Sequence, residues 1–114
     1  MIMFNLIISN KEKADAVVDS ILKNRFALNV VVGHAVDSYH LNPAHIKVHA
    51  EVYTIRFATK SVLFNEIEAS LKNEFPDVDF YMMANPIVHI TAHFYDKIKS
   101  DVTGLNLFEK EAEN

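Results

Sequence analysis

The chain has 114 residues, half of them hydrophobic, and a formal net charge of −4 at pH 7. This length suits one domain with one core, and no apolar run approaches the roughly 20 residues that span a bilayer, so we expect no membrane partner. The basic residues are scattered without forming a stripe, which argues against nucleic acid as a partner. The absence of cysteine excludes disulfides and thiolate metal sites.

The N-terminal stretch alternates its apolar residues from Ile2 to Ile8, which predicts a first strand. It has neither a basic region nor a small-residue cleavage site, so we interpret it as part of the fold and expect a cytoplasmic protein. Ser9 and Glu12 have the spacing of a capping box, which predicts the start of a helix. Apolar residues then recur at helical spacing up to Leu22.

The short run from Phe26 to Val32 is rich in β-branched residues and predicts a second strand, with Gly33 permitting a bulge before the chain continues to Leu41. After a turn at residues 42–44, the run from Lys47 to Thr59 predicts a long strand. Its even-numbered and odd-numbered residues face opposite ways, and neither face is purely polar. We therefore expect both faces of the sheet to be covered.

An amphipathic helix is predicted from Lys60 to Phe75, with Thr59 or Ser61 as its N-cap and Pro76 as its stop. Residues 78–83 alternate again and predict a further strand. The segment from Ile87 to Tyr95 fits either a strand or a helix, and its β-branched residues favour a strand.

This order predicts an α+β fold, a ferredoxin-like βαββαβ sandwich with an extra C-terminal strand and an antiparallel sheet that carries two helices on one face. The other face would hold apolar residues, either Met3 and Ile7 or Ile55 and Phe57. We expect copies of the chain to cover it in a homo-oligomer. Residues 1–104 are predicted to be the single domain, and residues 105–114 an acidic tail.

The second predicted strand carries Asn29-Val-Val-Val-Gly33, and Tyr39 lies further along the chain. The third strand and the second helix carry these residues: Thr59, Phe64, Ile67, Leu71 and Pro76. Their spacing, over the part of the chain from Phe4 to Tyr81, resembles that of the divalent-cation-tolerance proteins called CutA-like, which are similar in fold to the nitrogen regulatory PII proteins. That family has Asn-x-x-x-Gly in its second strand and a strand tyrosine near the position of Tyr39.

The chain also departs from the family pattern. Ala27 replaces the family's cysteine, Leu41 replaces its tryptophan, and Phe75-Pro76-Asp77 replaces its His-Pro-Tyr motif. No C-terminal helix is evident after Pro86. The resemblance implies a compact homotrimer connected with tolerance of divalent metal cations, and we expect a non-catalytic binding or regulatory protein.

Six histidines in a chain without cysteine suggest a metal hypothesis, because imidazole binds copper, zinc and nickel. The candidate ligands for such a divalent cation are His40, His45, His49, His89 and His93. A site needs three or four ligands at about 2 Å. On a strand His89 and His93 would lie about 13 Å apart, so each would need ligands from another strand or subunit. The hairpin turn could bring His40 and His45 together.

An alternative function is a small ferredoxin-like enzyme of the dimeric-barrel type. Its pocket would lie between the sheet and the helices, and His49 or His89 would act as a general base. This alternative requires an enclosed cavity that contains one of these imidazoles.

Overall fold

The computed structural model describes residues 1–103 of the chain. Its elements in order are β1 (Ile2–Ile8), α1 (Lys11–Lys23), β2 (Val31–Leu41), β3 (Lys47–Thr59), a 3-10 turn (Ser61–Leu63), α2 (Phe64–Glu74), β4 (Tyr81–Pro86) and α3 (Ala92–Asp101). The strands form one antiparallel sheet in the order β2-β3-β1-β4. The predicted α+β, ferredoxin-like arrangement is therefore confirmed. The predicted acidic tail, residues 105–114, lies outside the described residues.

The core forms between the sheet and the helices. The register of β1 with β3 determines which strand residues point into it. Phe4 pairs with Phe57, their rings stacked with centroids 5.0 Å apart, and Leu6 pairs with Ile55. The helices bury these residues of α1 and α2 against this face: Ala14, Val17, Ile21, Ile67 and Leu71. Ile55 thus belongs to the covered face.

Of the two predicted sets of uncovered apolar residues, Met3 and Ile7 are correct. Both lie on β1 between residues that point into the core, and both remain partly exposed. The assignment of Ile55 and Phe57 to the bare face is wrong, since both are buried under the helices at 0% and 2% exposure. Side chains of successive strand residues point to opposite faces of the sheet. Once one residue of a strand is assigned to a face, the faces of its other residues therefore follow.

Helix α1 begins one residue later than the capping box predicts. The N-cap is Asn10, whose side-chain Oδ1 accepts a hydrogen bond from the Lys13 backbone N–H at 3.1 Å. At the other end Arg25 has φ 58°, and its N–H and that of Phe26 donate to the carbonyl groups of the last helical turn. Asparagine is as good an N-cap as serine, so Asn10 can take this role in place of the neighbouring Ser9.

The second and fourth strands begin later than the sequence predicts. β2 starts at Val31 and not at Phe26, because Phe26 and Ala27 are buried in the core from the preceding loop. β4 starts at Tyr81 and not at residue 78. The predicted bulge at Gly33 is present: the register of β2 with β3 shifts between Gly33 and Val36.

Neither predicted N-cap serves the second helix. Thr59 ends β3, and its hydroxyl donates a 2.6 Å hydrogen bond to the Phe26 carbonyl oxygen. Ser61 lies inside the 3-10 turn, and α2 then begins at Phe64 without a side-chain cap. The Thr59 hydroxyl therefore anchors the loop before β2 to the end of β3.

The extra C-terminal strand predicted for Ile87–Tyr95 is wrong. The structure has an irregular segment at residues 87–91, followed by α3. Three helices are therefore present in the described part of the chain, where the sequence predicts two. Ile98 and Val102, one helical turn apart, are both fully buried and join the core, and this packing outweighs the strand propensity of the β-branched residues. No helix within residues 1–103 has the length and hydrophobicity needed to span a bilayer.

The Thr59 hydrogen bond gives a test of this packing. Thr59→Val preserves the shape of the side chain but leaves the buried Phe26 carbonyl without its donor, which costs about 1–3 kcal/mol of unfolding free energy. Urea denaturation measures the change. The matched control is Thr91→Val at the exposed N-cap of α3, whose side chain makes no capping hydrogen bond, and it should stay within about 0.5 kcal/mol. Equal effects of the two substitutions would contradict the role of Thr59.

Candidate functional site

A long hairpin projects from the end of the sheet. β1 pairs with β3 only as far as Ile8 and Tyr53, so residues 47–52 of β3 are paired with β2 alone. The molecule is elongated and measures 53 × 31 × 22 Å. An unpaired strand edge offers free backbone groups to another chain, and a two-stranded ribbon is only marginally stable by itself. The projecting hairpin is therefore suited to contact with a partner.

We call the face of the sheet opposite α1 and α2 the open face. The register places these strand residues on it: Met3, Asn5 and Ile7 of β1; Val31, Gly33, Val36, Ser38 and His40 of β2; Val48, Ala50, Val52, Thr54, Arg56 and Ala58 of β3; and Tyr81, Met83 and Asn85 of β4. Several of its large apolar side chains are exposed, including Val31, Val36 and Met83 at 54%, 42% and 50%. Exposed apolar surface of this kind is typical of interaction sites.

A cleft of about 430 Å³ lies on the open face, where β1 ends and the hairpin projects. Its lining residues are Ile7, Ser9, Ser38, His40, Ala50, Val52, Asp79 and Tyr81. The floor is apolar, while hydroxyl groups, one imidazole and one carboxylate surround it. His40 is the one predicted site residue in this cleft.

A second group of polar residues lies on the opposite face of the projecting hairpin. His49 Nε2 is 2.8 Å from Asp37 Oδ1, and both side chains are about half exposed or more, at 49% and 64%. The His49 ring also packs on Tyr39, with centroids 5.0 Å apart, and the Lys47 ammonium lies 5.0 Å from the centre of the Tyr39 ring. We call these four residues the hairpin cluster.

The predicted histidine ligands lie at different positions in the fold. His40 faces the cleft and His49 the other side of the hairpin, because successive positions of paired strands alternate between faces. His45 lies in the turn with φ 61°, and its backbone N–H donates to the Asn42 carbonyl. His89 precedes α3, and His93 lies in its first turn.

A divalent metal needs three or four donor atoms that converge on one point. All six imidazoles are exposed. Within residues 1–103, no three or more histidine, aspartate or glutamate side chains converge in a way that could hold a metal ion. Asp37 and His49 are two donors in contact, one short of the usual minimum for a stable site. Of the predicted ligands, His49 is thus the one that an ion pair within residues 1–103 joins to a second donor.

Asp37 is the partner that the sequence did not reveal. It lies twelve residues from His49, and the two meet only because β2 and β3 pair in the register that places Tyr39 opposite His49. The hairpin itself was predicted, but the number of residues in the bulge sets the register, and the bulge length is not evident from the sequence. Knowledge of the register between β2 and β3 would have identified Asp37 as the partner of His49.

The fold has clear relatives among solved structures. The chain is similar to the periplasmic divalent cation tolerance protein CutA from Archaeoglobus fulgidus, with a TM-score of 0.79 and 19% identity over 90% of this chain and 99% of that one. It is similar to the divalent cation tolerance protein from Thermus thermophilus, with a TM-score of 0.79, 16% identity and the same coverages. CutA1 from Oryza sativa gives a TM-score of 0.80 and 16% identity over 89% and 92%.

No family model matches the chain, and no curated protein matches it at the level of sequence. At identities below 20%, the structural similarity establishes the fold, while activity follows from sites and not from fold. The resemblance noted in the sequence is thus confirmed for the architecture: this chain has the fold of the CutA divalent cation tolerance proteins.

Proposed function

We propose that the chain is a non-catalytic, CutA-like binding protein that works as a homotrimer and engages a divalent cation. The shared fold over 90% of the chain supports kinship with the proteins whose names refer to divalent cation tolerance. The trimer follows from that kinship, and the surface of this chain supports self-association independently of it.

The observation that carries the proposal is the combination of the open face with the free edge of β3. Residues 47–52 have no neighbour on the β1 side within the described chain, and the cleft lies directly beside them. A strand from a second copy could pair along this edge while its side chains cover apolar residues such as Ile7 and Val36. Closure around a symmetry axis would then remove the exposed edge and the exposed apolar face together.

The cation part of the proposal rests on the hairpin cluster. Asp37 and His49 provide one carboxylate oxygen and one imidazole nitrogen in contact, a donor pair suited to zinc, copper or nickel. In the proposed site, further ligands come from a second copy of the chain. We propose His89 or His93 for this role, because both are exposed and lie outside the hairpin.

The enzyme alternative has less support. It requires His49 or His89 in a pocket between sheet and helices, but His49 is 49% exposed on the hairpin and His89 is exposed before α3. The space between sheet and helices is instead filled by the core side chains, among them Phe4, Phe57 and Ile67 at 0–2% exposure. The placement of a general base in that space is therefore wrong for these two residues.

The proposed assembly gives a prediction about mass. Size-exclusion chromatography with light scattering should give a mass three times the 13.0 kDa of one chain. Met83→Glu puts a charge into the apolar part of the open face and should shift the mass toward one chain, because an unpaired charge buried at an interface costs several kcal/mol.

The matched control is Val62→Glu, which adds the same charge at a side chain that is 79% exposed in the 3-10 turn. It should leave the mass unchanged. A wild-type protein that is monomeric at micromolar concentration would overturn the assembly. A Met83→Glu protein with the wild-type mass would place the interface elsewhere and contradict the role of the open face.

The proposed cation site gives a separate prediction. Calorimetric titration of untagged protein with zinc, copper and nickel salts should give saturable heat, and His49→Ala should weaken binding by about tenfold or more, because it removes one of only a few ligands. His34→Ala is the matched control, since His34 is exposed and packs edge-on against Tyr53 away from Asp37.

Absence of heat at several-fold excess of each metal would remove the cation from the proposal and leave the assembly intact. Equal loss in the His49→Ala and His34→Ala proteins would show binding that does not use the hairpin cluster. Light scattering on the same samples confirms that each variant keeps its oligomeric mass.

A further inference from the structure

Two carboxylates lie directly opposite each other on the side of the projecting hairpin that carries the hairpin cluster. We call this side the cluster side. Asp37 of β2 pairs with Glu51 of β3, and like charges in opposite strand positions are destabilising. Asp37 has the His49 imidazole at 2.8 Å, whereas Glu51 is exposed and makes no ion pair within residues 1–103. A cation placed beside Glu51 would relieve this repulsion.

The cluster side is also poorly covered in the described structure. Residues 47–52 of β3 project beyond the pairing with β1, and Tyr39, Leu41 and His49 are all exposed on this side. A two-stranded ribbon gains stability when it packs against a helix. The open face lies on the other side of the ribbon, so a helix on the cluster side does not compete with the proposed covering of the open face.

Helix α3 has a row of exposed side chains next to its buried face. Ile98 is fully buried and Phe94, one turn before it, is partly buried, so these two residues face the core. His93 and Lys97 each come one residue earlier, lie one turn apart, and are both exposed. Lys97 makes no ion pair within residues 1–103. This exposed row of α3 therefore carries an imidazole and an ammonium group that no described carboxylate pairs with.

The spacing of this row matches that of the cluster side. Four helical residues advance about 6 Å along the helix axis, and two strand residues advance about 6.8 Å. With α3 lying along β3 in the same direction and His93 beside His49, Lys97 therefore lies beside Glu51. Lys47 comes two residues before His49 and about 13 Å from Glu51, so the two ammonium groups do not meet.

Both ends of α3 are attached where β1 begins. The Ile87 N–H donates to the Met1 carbonyl at 3.1 Å, and the Thr103 N–H donates to the Arg25 carbonyl at 3.2 Å. Arg25 directly precedes the loop residue that is hydrogen-bonded to Thr59, the last residue of β3. Since β3 runs antiparallel to β1, its end lies beside the start of β1. α3 therefore lies at this end of the sheet.

The cluster side lies at the other end of the sheet. β1 pairs with β3 over seven residues, from Ile2 to Ile8, and His49 comes four residues before Tyr53, the partner of Ile8. At about 3.4 Å per residue, the start of β1 and His49 are roughly 30 Å apart along the sheet. No side chain reaches across such a distance. A contact between α3 and the cluster side is therefore a contact between two copies of the chain.

We propose that α3 of a second copy packs on the cluster side and completes the cation site. Its His93 is the third ligand beside Asp37 and His49. Its Lys97 pairs with Glu51. Two imidazole nitrogens and one carboxylate oxygen are a set of protein ligands that an open zinc site uses. This inference rests on the proposed oligomer and cation site, and it names the surface of the second copy that both would use.

The inference selects one of the two candidate ligands from the second copy. His93→Ala should weaken zinc binding by about tenfold or more, because it removes one of three protein ligands. His89→Ala is the matched control and should bind as the wild type does, since His89 precedes the helix and lies outside the exposed row. Calorimetric titration measures both. Equal loss in the two proteins would overturn the choice of His93.

Mixed oligomers test whether the ligands come from different copies. The His49→Ala and His93→Ala proteins each lack one ligand, so each alone should bind zinc weakly. When the two are co-expressed, about one quarter of the contacts in the mixed oligomers join an intact His49 to an intact His93 of another copy, and this fraction of wild-type sites should return. Absence of any recovery would show that the two histidines do not meet between copies and would overturn the inference.

The ion pair allows a test that needs no metal. Glu51→Lys and Lys97→Glu each bring like charges together and should accelerate the exchange of subunits between ¹⁵N-labelled and unlabelled oligomers by roughly tenfold or more. The double variant restores opposite charges and should exchange within about threefold of the wild-type rate. Native mass spectrometry measures the exchange. The matched control Lys99→Glu reverses a charge two residues further along α3, on another side of the helix, and should exchange as the wild type does.

The outcomes separate this contact from the proposals on which it rests. Single variants that exchange at the wild-type rate, or a double variant that exchanges as fast as the single variants, would overturn the contact while the oligomer stands. A wild type that binds no zinc would remove the cation site and the role of His93, and the exchange experiment would still decide the contact through Lys97. A wild type that light scattering shows to be monomeric would overturn the oligomer and the contact together.

Discussion

The register between β1 and β3 is the constraint on which the rest of the structure depends. It stacks Phe4 on Phe57 and sets Leu6 beside Ile55, so one face of the sheet receives α1 and α2. A slip of one residue would bring the alternate side chains, among them Asn5, under the helices, where an amide would need buried hydrogen-bond partners. The register that builds the core therefore also determines which residues lie on the open face. The apolar residues there are the strand residues that do not point into the core.

Alternation of apolar residues predicted β1 and β3 with the observed bounds, because both strands are long and pack against helices on one side. The same alternation could not say which face of β3 is covered. Its odd-numbered residues include Ile55 and Phe57, its even-numbered ones include Val48 and Val52, and both sets are semi-apolar. Only the pairing with β1, a contact between distant parts of the sequence, resolves the choice.

The wrong strand at the C-terminal end and the unrecognised partner of His49 have one physical cause. In both cases contacts between residues distant in the sequence determine the structure, and local sequence patterns do not show such contacts. β-branched residues between Ile87 and Thr91 favoured a strand, while burial of Ile98 and Val102 produces a helix that begins just afterwards. Histidine composition suggested ligands but not their neighbours. Asp37 becomes the partner of His49 through strand pairing, and no spacing rule links the two.

The bulge in β2 decides how charge is divided between the two faces of the projecting hairpin. Before it, Val31 and Gly33 pair with Arg56 and Thr54; after it, Val36 pairs with Val52, so one extra residue has been inserted. Gly33 makes the close approach possible, since a Cβ there would lie 2.5 Å from Thr54 Oγ1. Ala35 turns the chain with φ 52°.

Without the extra residue, the later residues of β2 would exchange faces. The carboxylate of Asp37 would then lie on the open face together with the ring of Tyr39, and the hairpin cluster would not form. The inserted residue instead puts Val36, Ser38 and His40 on the open face and keeps Asp37 opposite Glu51 on the other side. The bulge thus brings Asp37 to His49, so a single irregularity in one strand accounts for the donor pair.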